Sequence, residues 1–196
     1  MKKHEVITCL YRISQKDDME SFKQLYRYYF QRLLRFCISL VHIKEPAEEI
    51  VNDVFVNLWE RRIHLHKIIN PNVYLYVAVK NQSLAYLSKD RLRETVDISL
   101  LYHDHLKFTL DPEQIMITAE MRKKIEQAVD QLPQRCKLIF KLIKEDGLKY
   151  KEAAAILNLS VKTVEAQMAI AMKKLMTAIL PYTREKALQR SNKGTL

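Results

Sequence analysis

The chain has 196 residues, with 33 Lys and Arg against 23 Asp and Glu, a formal net charge of +10, two glycines, five prolines and three cysteines. That length buries one sizeable core or two small ones. Scarce glycine leaves little β-turn chemistry, and Cys9, Cys37 and Cys136 are too few and too scattered for a disulfide framework or a zinc site. The basic surplus attracts polyanions, whether nucleic acid or an anionic membrane surface.

The opening run MKKHEVITCLYRIS has two lysines, but its apolar stretch is too short for a secretion signal. No later run is long enough to span a bilayer, so a soluble, cytoplasmic protein without membrane insertion is expected. Phe22, Leu25, Tyr26, Tyr29, Leu33, Phe36, Cys37 and Leu40 fall at helical spacing and predict a first amphipathic helix. A second stripe, Ala47, Ile50, Val51, Val54, Phe55 and Leu58, follows Pro46, a favoured residue of a first helical turn. Its outer face offers Glu48, Glu49, Asn52, Asp53 and Asn57. An acidic face on a basic protein is either solvated or a docking site for a basic partner, since complementary charge steers and registers association.

A third helix is expected from about Asn70-Pro71 to Lys89. In it Tyr74, Tyr76 and Tyr86 are interleaved with Lys80, Asn81 and Gln82. Rings beside cations and amides suit unstacked bases, although the same tyrosines, with Leu75, Ala78 and Val79, also serve as packing residues of a buried helix. Residues 91–112 mix charge, histidine and threonine without a period and read as a linker, with Ile98, Leu100, Leu101 and Leu106 free to dock. The pairs His64/His66 and His103/His105 diverge by about 200° on a helix, and no further cluster completes a metal site. No metal, cofactor or catalytic constellation is therefore expected.

Helical period returns with Ile115, Ala119, Arg122, Ile125 and Val129, stopping at Leu132-Pro133. A helix over Gln134–Glu145 is expected to end at Asp146-Gly147. The stretch Leu148–Leu175 then reads as two short helices joined by a tight turn. Asn158 tolerates the left-handed turn conformation, Ser160 is a good N-cap, and small Ala154 permits close approach. Val164, Met168, Ala171 and Leu175 should face the core, leaving Lys162, Thr163, Glu165, Ala166, Gln167 and Lys173 open. This is a helix-turn-helix whose second helix suits a major groove, or else an ordinary helical hairpin. The tail from Arg184 is polar, and fraying is expected. The fold class is all-α: two small helical domains, 8–90 and 113–183, joined by the linker 91–112 and followed by the tail 184–196.

Three segments in this order resemble the extracytoplasmic-function subfamily of RNA polymerase sigma factors. AEEIVNDVFVNLW (Ala47–Trp59) is similar to that family's region 2.2, YLYVAVKN (Tyr74–Asn81) to its W-L-Y-R-I-A-R-N segment, and Leu132–Leu175 to region 4. The resemblance implies a transcription initiation factor without enzymatic activity that binds core RNA polymerase and directs it to promoters. It implies that Glu48, Glu49, Asn52, Asp53 and Asn57 grip the β′ clamp helices. His64, His66, Lys67, Asn70, Tyr74, Lys80 and Asn81 would meet the −10 element, where a base is flipped during strand opening. Ser160, Lys162, Thr163, Glu165, Ala166, Gln167, Lys173 and Lys174 would meet the −35 duplex, with the same domain seated on the β flap. By contact chemistry Glu165 suits a cytosine amino group and Gln167 an adenine. An anti-sigma factor, commonly membrane-anchored, is the further partner implied. Val77, Ala85, Lys149 and Asn158 depart from the family's usual arginine, aspartate, capping serine or threonine, and turn glycine. A stand-alone helix-turn-helix regulator of duplex DNA is the alternative, and it leaves the N-terminal segments without a task.

Overall fold

Every regular element is helical in a computed structural model, which describes the backbone of residues 1–91 and 119–192 and the side chains of residues 1–89, 121 and 123–180. The linker residues 92–112, with Ile98, Leu100, Leu101, Leu106 and the His103/His105 pair, lie outside the described ones, as does Ile115. The chain divides into two compact units, Met1–Leu106 and Lys107–Leu196.

The first unit contains α1 (Lys3–Lys16), α2 (Met19–Val41), α3 (Lys44–Glu60), a 3₁₀ helix (Arg62–Lys67) and α4 (Pro71–Arg91). Its boundaries follow from local chemistry. Asp17 ends α1 in the left-handed region at φ 49°, its N–H reaching the Ile13 carbonyl. Asp18 then caps α2: one carboxylate oxygen accepts the Glu20 and Ser21 N–H groups at 3.0 and 3.2 Å, and the other takes the Ser21 hydroxyl at 2.8 Å. These bonds hold the Asp18 carboxyl below its ordinary pKa, the Ser21 hydroxyl being the largest cause. Asn70 caps α4 by accepting the Val73 N–H at 3.4 Å, and Pro71 occupies the first helical position, where its missing N–H costs nothing.

The spine of this unit is α2, which packs on α1, α3 and α4. It buries Leu25, Tyr29, Leu33, Phe36 and Cys37, with Leu25, Leu33 and Cys37 wholly removed from solvent. Burying each leucine contributes roughly 1.5–3 kcal/mol. Two polar groups of this core are hydrogen-bonded: Tyr29 donates its hydroxyl to Asn72 Oδ1 at 2.6 Å, and Ser83 donates to the Val79 carbonyl at 2.8 Å, 3.2 Å from Cys37 Sγ. Burial pushes the Cys37 thiol pKa up.

The second unit comprises α5 (Ala119–Asp130), α6 (Gln134–Lys144), α7 (Tyr150–Leu157) and α8 (Val161–Asn192). Ala128, Val129, Leu132, Cys136, Phe140, Met168, Ala171 and Leu175 form its core. Gly147 adopts φ +68° after α6, where the Leu148 N–H returns to the Leu142 carbonyl at 3.0 Å, a closure that satisfies a terminal carbonyl. The frayed end expected from Arg184 meets a helical backbone that runs through Asn192. It passes Pro181, whose missing N–H removes one ladder bond, because Arg184–Arg190 (REKALQR) consists of strong helix formers.

Candidate functional site

Three surfaces carry the residues that the sequence singles out. On α3, successive residues advance by about 100°. This places Ala47, Ile50, Val51, Val54, Phe55 and Leu58 in one buried sector and Glu48, Glu49, Asn52, Asp53 and Asn57 across the opposite half. Glu48 pairs with Lys44 at 3.5 Å, and Asn57 donates to the Asp53 carbonyl at 2.8 Å. Asn52 is held from a neighbouring helix: Tyr26, stacked on Phe30 and tilted against Phe55, donates its hydroxyl to Asn52 Oδ1 at 3.1 Å. The Asn52 amide N–H groups therefore stay available as donors on an otherwise acidic face. Desolvation, reinforced by Glu48, raises the Tyr26 pKa. Val56 sits at the centre of this face, 55% exposed. The sequence reading missed it because an apolar residue in an apolar helix draws no attention until the wheel is anchored by burial.

The second surface joins the 3₁₀ helix to α4. The segment containing His64, His66 and Lys67 is a 3₁₀ helix with Leu65 plugged into the core and both histidines exposed. Arg62 braces it by pairing with Asp17 Oδ1, donating to the Trp59 carbonyl at 3.2 Å and lying over the Trp59 ring at 5.0 Å. Ile69 then projects 85% exposed, a second residue that the sequence reading left out. Asn70 spends its side-chain oxygen as the α4 cap. On α4, Tyr74 and Asn81 are seven residues apart and share an exposed face, offset by about 20°. Lys80 falls at its half-buried edge, some 120° from Tyr74. Tyr76 points the other way, buried and tilted against Phe36 at 5.1 Å. Of the three tyrosines, only Tyr74 is fully on the open side, Tyr86 being half-buried.

The third surface is the helix-turn-helix. Asn158 adopts φ 56°, and Ser160 Oγ accepts the Thr163 N–H at 3.0 Å and bonds the Thr163 hydroxyl at 2.8 Å, so turn and cap form as the residues dictate. Lys149 lacks a capping oxygen; Glu152 instead reaches back to the Lys149 N–H at 2.9 Å. Val164, Met168, Ala171 and Leu175 are buried, and Lys162, Glu165, Ala166, Lys173 and Lys174 are exposed. Gln167 is set apart from that open face: Cys136 of α6 donates its thiol to Gln167 Oε1. That bond takes one of the two lone pairs of Oε1, so the pairing with adenine expected from the sequence has the other lone pair and the N–H donors to use. Ile170, 43% exposed, joins Ala166 and Ala169 to give the face between the lysines an apolar strip. Among the described residues no cluster of His, Cys, Asp and Glu is placed to hold a metal, and no helix is long and apolar enough to cross a membrane.

Comparison with known proteins matches both units. A family model described as sigma-70 region 2 matches residues 25–93, and one described as sigma-70, region 4 matches residues 122–175. The RNA polymerase sigma-H factor of Pseudomonas aeruginosa is 22% identical over 178 residues, covering 87% of this chain and 92% of that protein. The ECF RNA polymerase sigma-E factor of Escherichia coli K12 is 23% identical over 177 residues, with the same two coverages of 87% and 92%. Among solved structures, the sigma factor RpoE in complex with the anti-sigma factor NepR from Bartonella quintana has a TM-score of 0.56 at 22% identity, covering 82% of this chain and 97% of that one. CnrH in complex with the cytosolic domain of CnrY has a TM-score of 0.55 at 19% identity, covering 91% and 98%.

Proposed function

The chain belongs to the sigma-70 family, in its extracytoplasmic-function branch, and from that premise we propose how this promoter-directing initiation factor of RNA polymerase divides its work. The α3 face of Glu48, Glu49, Asn52, Asp53 and Asn57, centred on Val56, docks on the β′ clamp helices. A carboxylate-rich face with an apolar centre suits a basic partner surface that also offers an apolar contact.

The 3₁₀ helix and the exposed side of α4 engage the −10 element. Lys67 and Tyr74 meet backbone and base there, with Asn81 alongside, and stacking offsets the few kcal/mol needed to unpair and flip a base. The first turns of α8 enter the major groove at the −35 element: Lys162 and Lys173 neutralise phosphate, Glu165 accepts from an amino-bearing base, and Ala166 permits close approach. The second unit also seats on the β flap. Residues 8–90 and 113–183 are the two working domains, and 91–112 tethers them, so that binding by one raises the effective concentration of the other.

The protein acts in the cytoplasm, performs no catalysis of its own and needs no cofactor. Its activity is restrained by an anti-sigma factor, as the complexes of its structural neighbours suggest. One observation carries this reading: regions 2 and 4 occur in order on two separately packed units. A stand-alone duplex regulator has no use for region 2. The test is Asp53→Arg, which should weaken binding to purified core polymerase at least tenfold while leaving duplex −35 binding unchanged. Equal loss of both activities overturns the division of labour.

A further inference from the structure

The 3₁₀ helix packs against α1, and one contact between them fixes the chemistry it offers. Ser14 Oγ lies 3.0 Å from the Ile63 carbonyl oxygen and 2.9 Å from His66 Nδ1. A hydroxyl has one proton to give, and a carbonyl can only accept. Ser14 therefore donates to Ile63 and accepts from His66 Nδ1–H, with Gln15 Nε2 a second donor to it at 3.3 Å. This holds the neutral ring in one tautomer, the Nδ1–H form, so His66 Nε2 is a bare acceptor on an exposed side chain.

The geometry points to Ser14 as a positioning residue for promoter recognition. From α1, outside every segment assigned to DNA, it orients His66 so that Nε2 accepts from the amino group that adenine carries at C6 and cytosine at C4. His66 thereby favours adenine or cytosine over guanine or thymine at one position of the opened −10 strand. At that same ring position guanine and thymine carry a carbonyl, so the acceptor meets lone pairs instead of a proton, and a lost hydrogen bond of this kind corresponds to about tenfold discrimination. Removing the Ser14 hydroxyl releases the ring to either tautomer, and Nε2–H then favours guanine or thymine, which carry a carbonyl at that position. The inference rests on the reading that the 3₁₀ helix and the loop after it meet the −10 element.

The test is in vitro transcription by core polymerase and the full chain from promoters randomised across the −10 element, with the transcribed templates sequenced. The wild-type protein should prefer adenine or cytosine about tenfold at one position. Ser14→Ala should reduce that preference to about twofold or less without changing the other positions, and Ser14→Thr should restore it. His66→Asn, whose amide can reach Ser14 but not the place of Nε2, should lose the preference while keeping the wild-type melting temperature. An undiminished preference in Ser14→Ala or His66→Asn overturns the proposal. So does an even fall across all templates in Ser14→Ala, the mark of a purely structural role. If Lys67→Ala and Tyr74→Ala shift base preferences while Ser14→Ala does not, this proposal fails and the −10 reading stands. If none of these variants shifts any preference, both fail.

Discussion

Replacing Ser160 by alanine isolates one bond at the entrance to the DNA-reading helix. The first N–H groups of α8 have no partner within the helix, and the Ser160 hydroxyl satisfies that of Thr163 at 3.0 Å. Ser160 is exposed, so its removal leaves no cavity, and the cost is that of the cap alone, about 1 kcal/mol. The unit Lys107–Leu196 has the size at which 1 kcal/mol moves the melting temperature by roughly 4–8 °C. Far-ultraviolet circular dichroism of the full chain should show a drop of about 5 °C in the transition of that unit. The chain's single tryptophan, Trp59, lies in the first unit, so its fluorescence tracks that unit and allows the two transitions to be assigned. Ser160→Asp separates folding from binding. Aspartate caps as well as serine and complements the helix dipole, so stability should return to the wild-type value, whereas a negative charge beside phosphate should weaken duplex binding. The reasoning is refuted if Ser160→Ala melts with the wild type, or if Ser160→Asp melts with Ser160→Ala.

Leu33→Ala, at a wholly buried position of α2, should cost about 2–5 kcal/mol and lower the denaturant midpoint read by Trp59 fluorescence; an unchanged midpoint contradicts the packing described. The depressed Asp18 carboxyl contributes stability that is present above its unfolded pKa and lost as pH falls through the lower, folded one. The melting temperature of the wild type should therefore fall more steeply than that of Asp18→Asn below about pH 4, and parallel curves would argue against the capping account. Cys9, Cys37 and Cys136 are all buried, so a thiol reagent should react slowly with the native protein and with all three groups after denaturation. Rapid native labelling would show that one of these cores opens readily.

Much of this molecule is legible residue by residue because its signals are local. Asn70-Pro71 announces the start of α4, Asn158 the turn and Ser160 the cap, since each acts on backbone within three residues of itself. The buried stripes of α2, α3 and α8 follow from period alone. What the sequence conceals is the second use of a polar side chain by a neighbour distant along the chain. Asn52 is claimed by Tyr26, His66 by Ser14 and Gln167 by Cys136, across 26, 52 and 31 positions. Each was legible as a candidate contact, but which of its atoms remain available is decided by packing. Val56 and Ile69 were concealed for the opposite reason: an apolar side chain marks a functional surface only when the fold leaves it exposed. Family resemblance supplies the polymerase and promoter, while packing determines which hydrogen-bonding atoms this chain can present to them.

The most direct measurement is run-off transcription with purified core RNA polymerase on genomic promoter fragments, with and without this protein. Transcripts starting at discrete sites only when the chain is present, and lost with Asp53→Arg, are the predicted result. Footprinting of duplex DNA by the chain alone, with no initiation at any fragment by the combined proteins, would contradict the account.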